Sequence, residues 1–113
     1  MPIQNNKKSV LTILVAFLCA PAIASSTISA ERQAELMHLL RHDCGSCHGM
    51  TLQGGLGPAL TAKALSGKSQ DFLKQTVLDG RSGTAMPPWR GLLSEREVAW
   101  LVQQLMEGAD LGR

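Results

Sequence analysis

Apolar and polar residues recur with a helical period in three stretches of the chain. The clearest begins at Ser94, after which Val98, Leu101, Val102 and Leu105 follow at i, i+3, i+4 and i+7. That spacing sets them on one stripe of a helix. Ser94 and Glu97 stand three apart at its start, as in a capping box, and Leu93 and Val98 are placed to close over it as a hydrophobic staple. Gly108 ends it. An earlier helix is predicted from about Ala30 to His42. Ser29 serves as its cap, Glu31 suits its positive end, and Met37, Leu40 and Cys44 lie on its apolar face. Between these two lies a third helix, Gln70 to Asp79. Ser69 caps it, Phe72, Leu73, Thr76 and Val77 share a face, and Gly80 stops it. Nothing reads as a strand or an internal repeat, so the expected class is all-α.

The first part of the chain follows a different pattern. Asn5-Asn6-Lys7-Lys8 is a short basic start, an apolar run from Val10 to Ala20 follows, and Ala22-Ile23-Ala24 has the small-x-small form that signal peptidase reads. The expectation is an export signal over residues 1–24, cut after Ala24, with a single domain over residues 25–113. The apolar run is short for a bilayer span, which needs roughly 20 apolar residues. Cleavage therefore implies a periplasmic protein with no remaining membrane span.

Removing that segment changes the composition. Cys19 goes with it, leaving Cys44 and Cys47. Lys7 and Lys8 also go, so the eleven Lys and Arg become nine against nine Asp and Glu. A formally neutral chain lacks the basic surface that nucleic acid requires. Only Phe72, Trp89 and Trp100 remain as aromatic residues, with no tyrosine. A domain this small, with so few large apolar side chains, calls for a staple or a large apolar cofactor.

Cys44-Gly45-Ser46-Cys47-His48 supplies the reason. This spacing reads as a c-type haem attachment site. Two residues between the thiols span the gap between the haem vinyl groups. The adjacent histidine then falls beneath the iron as proximal ligand. A disulfide would not require His48. A zinc site would want a further ligand pair, and a thioredoxin-like motif would want a βαβ setting.

Two glycine- and proline-rich loops separate the helices. One carries Gly54-Gly55-Leu56-Gly57-Pro58; the other, residues 80–93, carries Met86-Pro87-Pro88-Trp89. Long irregular loops are usually functional. Met86 lies 38 residues after His48, far enough for the chain to wrap the haem edge. Pro87 holds it in extended backbone, and a thioether is a common partner for histidine on such iron. Met86 is therefore the expected second axial ligand. Met37, Met50 and Met106 read as gap-fillers, and His38 and His42 as surface residues.

With these residues placed, the chain resembles the class I cytochromes c along essentially all of residues 25–113. The resemblance rests on Cys44-Gly45-Ser46-Cys47-His48, Gly57-Pro58-Ala59-Leu60, Asp79-Gly80-Arg81 and Met86-Pro87-Pro88-Trp89. Longer strings are similar to one subgroup, the small periplasmic cytochrome c-55X type encoded with cytochrome cd1 nitrite reductase in denitrifying bacteria. These are Arg41 to Gly49, Gly54 to Leu60, Gly83 to Trp89 and Leu92-Leu93-Ser94-Glu95.

The resemblance implies a class I cytochrome c fold, three or more helices wrapped around one covalently bound haem c. It implies that the Pro58 carbonyl accepts from Nδ1–H of His48 and that Leu60 packs on the haem. The first and last helices would cross near Met37, Leu40, Leu101 and Leu105. Trp89 would lie by the haem or serve the core, and Arg81 would meet a haem propionate or remain solvated. The implied function is single-electron transfer, not catalysis, by a monomer in the nitrite reductase system. The partner is either cytochrome cd1 nitrite reductase or an enzyme of haem d1 biosynthesis. An enzyme or sensor with an open iron site would require Met86 to be displaced.

Overall fold

The computed structural model describes residues 27–111. The expected leader, residues 1–24, and its expected cleavage point lie outside the described residues. Five α-helices form, α1 (Ala30–Leu39), α2 (Gly45–His48), α3 (Ala62–Leu65), α4 (Gln70–Asp79) and α5 (Glu95–Met106), and no strand forms among the described residues. Each of α1, α3, α4 and α5 starts at a hydroxyl cap. Ser29, Thr61, Ser69 and Ser94 accept from the backbone N–H three residues on, satisfying a donor the helix itself leaves unpaired.

The first helical segment runs further than the periodicity indicates. Instead of ending near His42, it passes through a wide π-type turn, Leu40–Cys44, straight into α2. The N–H of Gly45 reaches back to the carbonyl of Leu40. That i→i+5 bond takes up one residue more than the α repeat. Everything after it is rotated by about 100° relative to the stripe of Leu36 and Leu40. Such turns escape sequence periodicity because the residues remain helical in character while the phase slips.

The core is built from leucine and valine. Leu36, Leu40, Leu78, Val98 and Val102 are essentially inaccessible, and Leu52, Leu65, Leu93, Leu101 and Leu105 join them. α5 packs along α4 and touches α1 and α3. Leu36, not singled out by the sequence pattern, is therefore the central residue of the α1 face, with Met37 at its margin. On α4 the buried position is Leu78, with Leu73 and Val77 partly covered, whereas Phe72 is half exposed. Met37 packs against the core, but Met50 and Met106 lie at the surface and fill no gap.

Polar contacts reinforce the crossing of α1 and α5. One Glu97 carboxylate oxygen accepts from the Ser94 N–H at 2.8 Å, completing the capping box. The other accepts from Nε of Arg32 on α1 at 2.6 Å. These bonds hold the Glu97 carboxyl below its ordinary pKa, the Arg32 bond contributing most and the Ser94 N–H next.

Candidate functional site

The Cys44–His48 motif occupies the end of the wide turn and all of α2. Both cysteines are free and half-buried. Burial, and secondarily the neighbouring Asp43 charge, pushes the Cys44 thiol up to about 11, which keeps it neutral. The hydroxyl of Ser46, between the thiols, donates to the Asp43 carbonyl at 2.7 Å and stays on the outer side of the turn.

His48 closes α2, and Gly49 follows with φ of 91°, reversing the chain. The glycine loop then folds back onto the motif. The N–H of Gly54 donates to the His48 carbonyl at 2.8 Å, and that of Gly57 to the Cys47 carbonyl at 2.8 Å. Approach this close excludes side chains. A Cβ on Gly55 would stand 2.8 Å from the Cys47 carbonyl oxygen, and one on Gly57 would stand 2.7 Å from Cε1 and Nδ1 of the His48 ring. The loop thereby delivers the Pro58 carbonyl to within 2.7 Å of His48 Nδ1. A carbonyl only accepts, so Nδ1 is the donor, and in the neutral ring Nε2 keeps its lone pair. Leu52, just upstream, takes a left-handed backbone with φ of 59° and is buried. Its carbonyl accepts from the Leu60 N–H at 2.9 Å, closing the base of the loop. Sequence reasoning missed Leu52, because nothing in its type distinguishes it from a surface leucine.

Met86 is held through its own backbone N–H and carbonyl by the loop residues that follow α4. Its carbonyl accepts from the Arg81 N–H at 3.1 Å, and its N–H donates to the Thr84 hydroxyl at 3.2 Å. Thr84 in turn donates to the Arg81 carbonyl at 2.7 Å. The two prolines cannot donate, so the next N–H groups cap α4: Trp89 bonds the Val77 and Leu78 carbonyls at 3.1 Å, and Arg90 bonds that of Leu78 at 3.1 Å. Gly80 makes this possible. It has φ of 68°, and a Cβ there would lie 2.7 Å from Met86 O, Pro87 C and Pro88 N. The Arg90 guanidinium spans Asp79 at 2.8 Å and Glu95 at 3.1 Å, tying the loop to both helices from outside.

Cys44, Cys47, His48 and Pro58 are thus gathered by one turn and one loop, while Met86 is presented, half-buried, by a second loop. Leu60 and Trp89 both pack against the core cluster, which favours a core role for Trp89. Arg81 is exposed, its guanidinium 6.0 Å from the centre of the Phe72 ring, which sets Phe72 beside the methionine loop. Two free thiols three residues apart and an imidazole whose Nδ1 is engaged by the Pro58 carbonyl form the donor set that covalent haem requires, so the residues fit that group.

Comparison with known proteins agrees. The family described as cytochrome c oxidase, cbb3-type, subunit III matches residues 31–104. Cytochrome c55X of Pseudomonas aeruginosa is 56% identical over 99 residues, which are 87% of this chain and 83% of that protein. Cytochrome c55X of Stutzerimonas stutzeri is 56% identical over 95 residues, 84% of each. Among solved structures, the c-type cytochrome NirC superposes with a TM-score of 0.72 at 56% identity, covering 76% of this chain and all of that one. A more distant likeness, 33% identity over 69 residues, joins 61% of this chain to 14% of the dihydro-heme d1 dehydrogenase of Pseudomonas aeruginosa.

Proposed function

Because the chain belongs to the cytochrome c family, with the c55X cytochromes as its relatives, and carries haem c at Cys44 and Cys47, we propose that it is a periplasmic single-electron carrier that donates to cytochrome cd1 nitrite reductase in denitrification. The observation that supports this most is the His48 Nδ1–Pro58 carbonyl bond of 2.7 Å. It holds the ring in one tautomer and one orientation, so Nε2 is ready to serve as proximal ligand. Met86 is the opposite axial ligand in this reading, its backbone fixed at both carbonyl and N–H. Haem c supplies a one-electron couple at its iron. The chain's part is to keep both axial groups in place in either oxidation state, so that little rearranges when an electron moves. Gly55 and the 79%-exposed Leu56 give the attachment side a small, apolar surface, suited to the brief contacts of redox partners.

No helix among the described residues is long and apolar enough to cross a membrane. In this reading the leader expected over residues 1–24 directs the chain to the periplasm. The likeness to dihydro-heme d1 dehydrogenase favours one second reading, electron handling in haem d1 maturation. Rapid mixing of the reduced protein with oxidised cytochrome cd1 nitrite reductase tests the first. Fast, saturable haem oxidation that sustains nitrite turnover is the expected result. Slow transfer from an intact, Met-ligated protein would reject the donor role and turn attention to the maturation enzymes.

A further inference from the structure

The chain has three histidines. His48 is engaged by Pro58. The other two, His38 and His42, have no place in the haem site. They stand at i and i+4 of the segment that leads into Cys44, His38 in the last turn of α1 and His42 in the wide turn that follows. Both are exposed. Their ring centres are 4.2 Å apart and their planes are inclined by 40°. They wall a shallow surface depression of ≈ 180 Å³ together with Met37, Arg41, Asp110 and Leu111.

Two imidazoles gathered this closely on an exposed helix gain little from each other, and when both are protonated they repel. Their spacing is the one at which two histidines on a helix face converge on a single metal ion. With metal–nitrogen bonds of about 2.0–2.1 Å, two neighbouring imidazole ligands have ring centres roughly 4.5–5 Å apart. The observed separation is within about 1 Å of that, a change that small rotations within the same staggered wells supply.

We propose that His38 and His42 form a surface site for a divalent transition-metal ion of the Cu(II) class, bound through one nitrogen of each ring. The donor set selects the ion. Among the described residues no group of three or more His, Cys, Asp or Glu gathers at metal distance, so the protein supplies two nitrogens and water completes the shell. Zinc sites held by protein alone want four ligands, whereas Cu(II) stands highest in the affinity order and accepts a tetragonal set of nitrogen and oxygen donors. Asp110, in the same depression, contributes negative charge beside the ion, and Arg41 opposes it. A bound ion links α1 to the wide turn that carries Cys44, and so stabilises the folded state in proportion to its binding.

The test is a Cu(II) titration of the ferric holoprotein near neutral pH, by calorimetry and by electron paramagnetic resonance. One ion should bind, with nitrogen coupling from two imidazoles. His38→Gln and His42→Gln should each weaken it at least tenfold, and the double variant should abolish it, all with unaltered haem absorption. Asp110→Asn should weaken it only a few-fold, and Zn(II) should bind at least tenfold more weakly than Cu(II). Undiminished binding in the double variant, a spectrum without two-nitrogen coupling, or Zn(II) binding as tight as Cu(II) would overturn the assignment.

Discussion

Gly80→Ala should separate the two things that glycine does at the end of α4. The backbone there has φ of 68° and ψ of −168°, a region that side chains avoid at a cost of about 1–3 kcal/mol. The added methyl would also stand 2.7 Å from three backbone atoms of residues 86–88, against about 3.5–4.0 Å for an unstrained contact. None of those atoms is the free end of a side chain, so relief requires the Met86–Pro87–Pro88 segment to move. Overpacking of this kind costs a further ~1–3 kcal/mol, for a total of about 2–6 kcal/mol. Gly83, in the same loop, is the internal control. Its φ is 76°, yet a methyl there meets nothing within 4 Å, so Gly83→Ala incurs only the backbone cost, about 1–2 kcal/mol. Guanidinium unfolding of both ferric holoproteins, followed at the haem absorption, measures the difference. In the proposed Met86-ligated haem, the Met–Fe(III) charge-transfer band reports on the segment itself. Gly80→Ala should be the less stable and should weaken that band, and Gly83→Ala should leave it unchanged. Equal losses, with both bands intact, would refute the claim that Gly80 seats the methionine loop.

Other perturbations have expected outcomes of their own. Gly57→Ala places a methyl 2.7 Å from the His48 ring; it should break the bond to Pro58, make the imidazole a poorer donor and raise the reduction potential, measured by redox titration. Glu97→Ala should destabilise more than Glu97→Gln, by about 1 kcal/mol, because glutamine preserves the capping box and alanine does not. Glu97 also sets part of the acid limb. Its folded pKa is depressed, so its contribution is fully present above its unfolded pKa of about 4.3 and is lost as pH falls through the lower folded value. Acid unfolding of Glu97→Gln should lack that component, and an acid limb identical to wild type would contradict the assignment. Arg90→Ala removes exposed ion pairs to Asp79 and Glu95; the thermal midpoint should barely shift, since such pairs are solvated and screened.

Where local chemistry decides structure, residue types alone are informative. Ser69 and Gly80 bound α4 as read, and Ser94 with Glu97 forms the capping box as read. The attachment motif is equally legible, because the spacing of the thiols is a chemical requirement; the Pro58 carbonyl contact is one that the family resemblance implied. What escaped is set by tertiary packing. The wide turn at Leu40–Cys44 alters helix phase without changing residue character. The short helix α3 offers too few residues to show a period. Leu36 and Leu78 surpass Met37 and Phe72 in burial because of where α5 lies across α1 and α4, and Leu52 takes a positive φ that only its neighbours explain. Glu97 is a further case. Its cap is readable, but its partner Arg32, 65 residues away, is not.

The measurement closest to the central claim is the absorption spectrum of the ferric protein beside that of Met86→Ala. With His48 and Met86 both on the iron, the wild type shows the Met–Fe(III) charge-transfer band, and the variant loses it while keeping its covalent haem. A wild-type spectrum without the band, or a Met86→Ala spectrum that retains it, would contradict the axial pair on which the electron-carrier account stands.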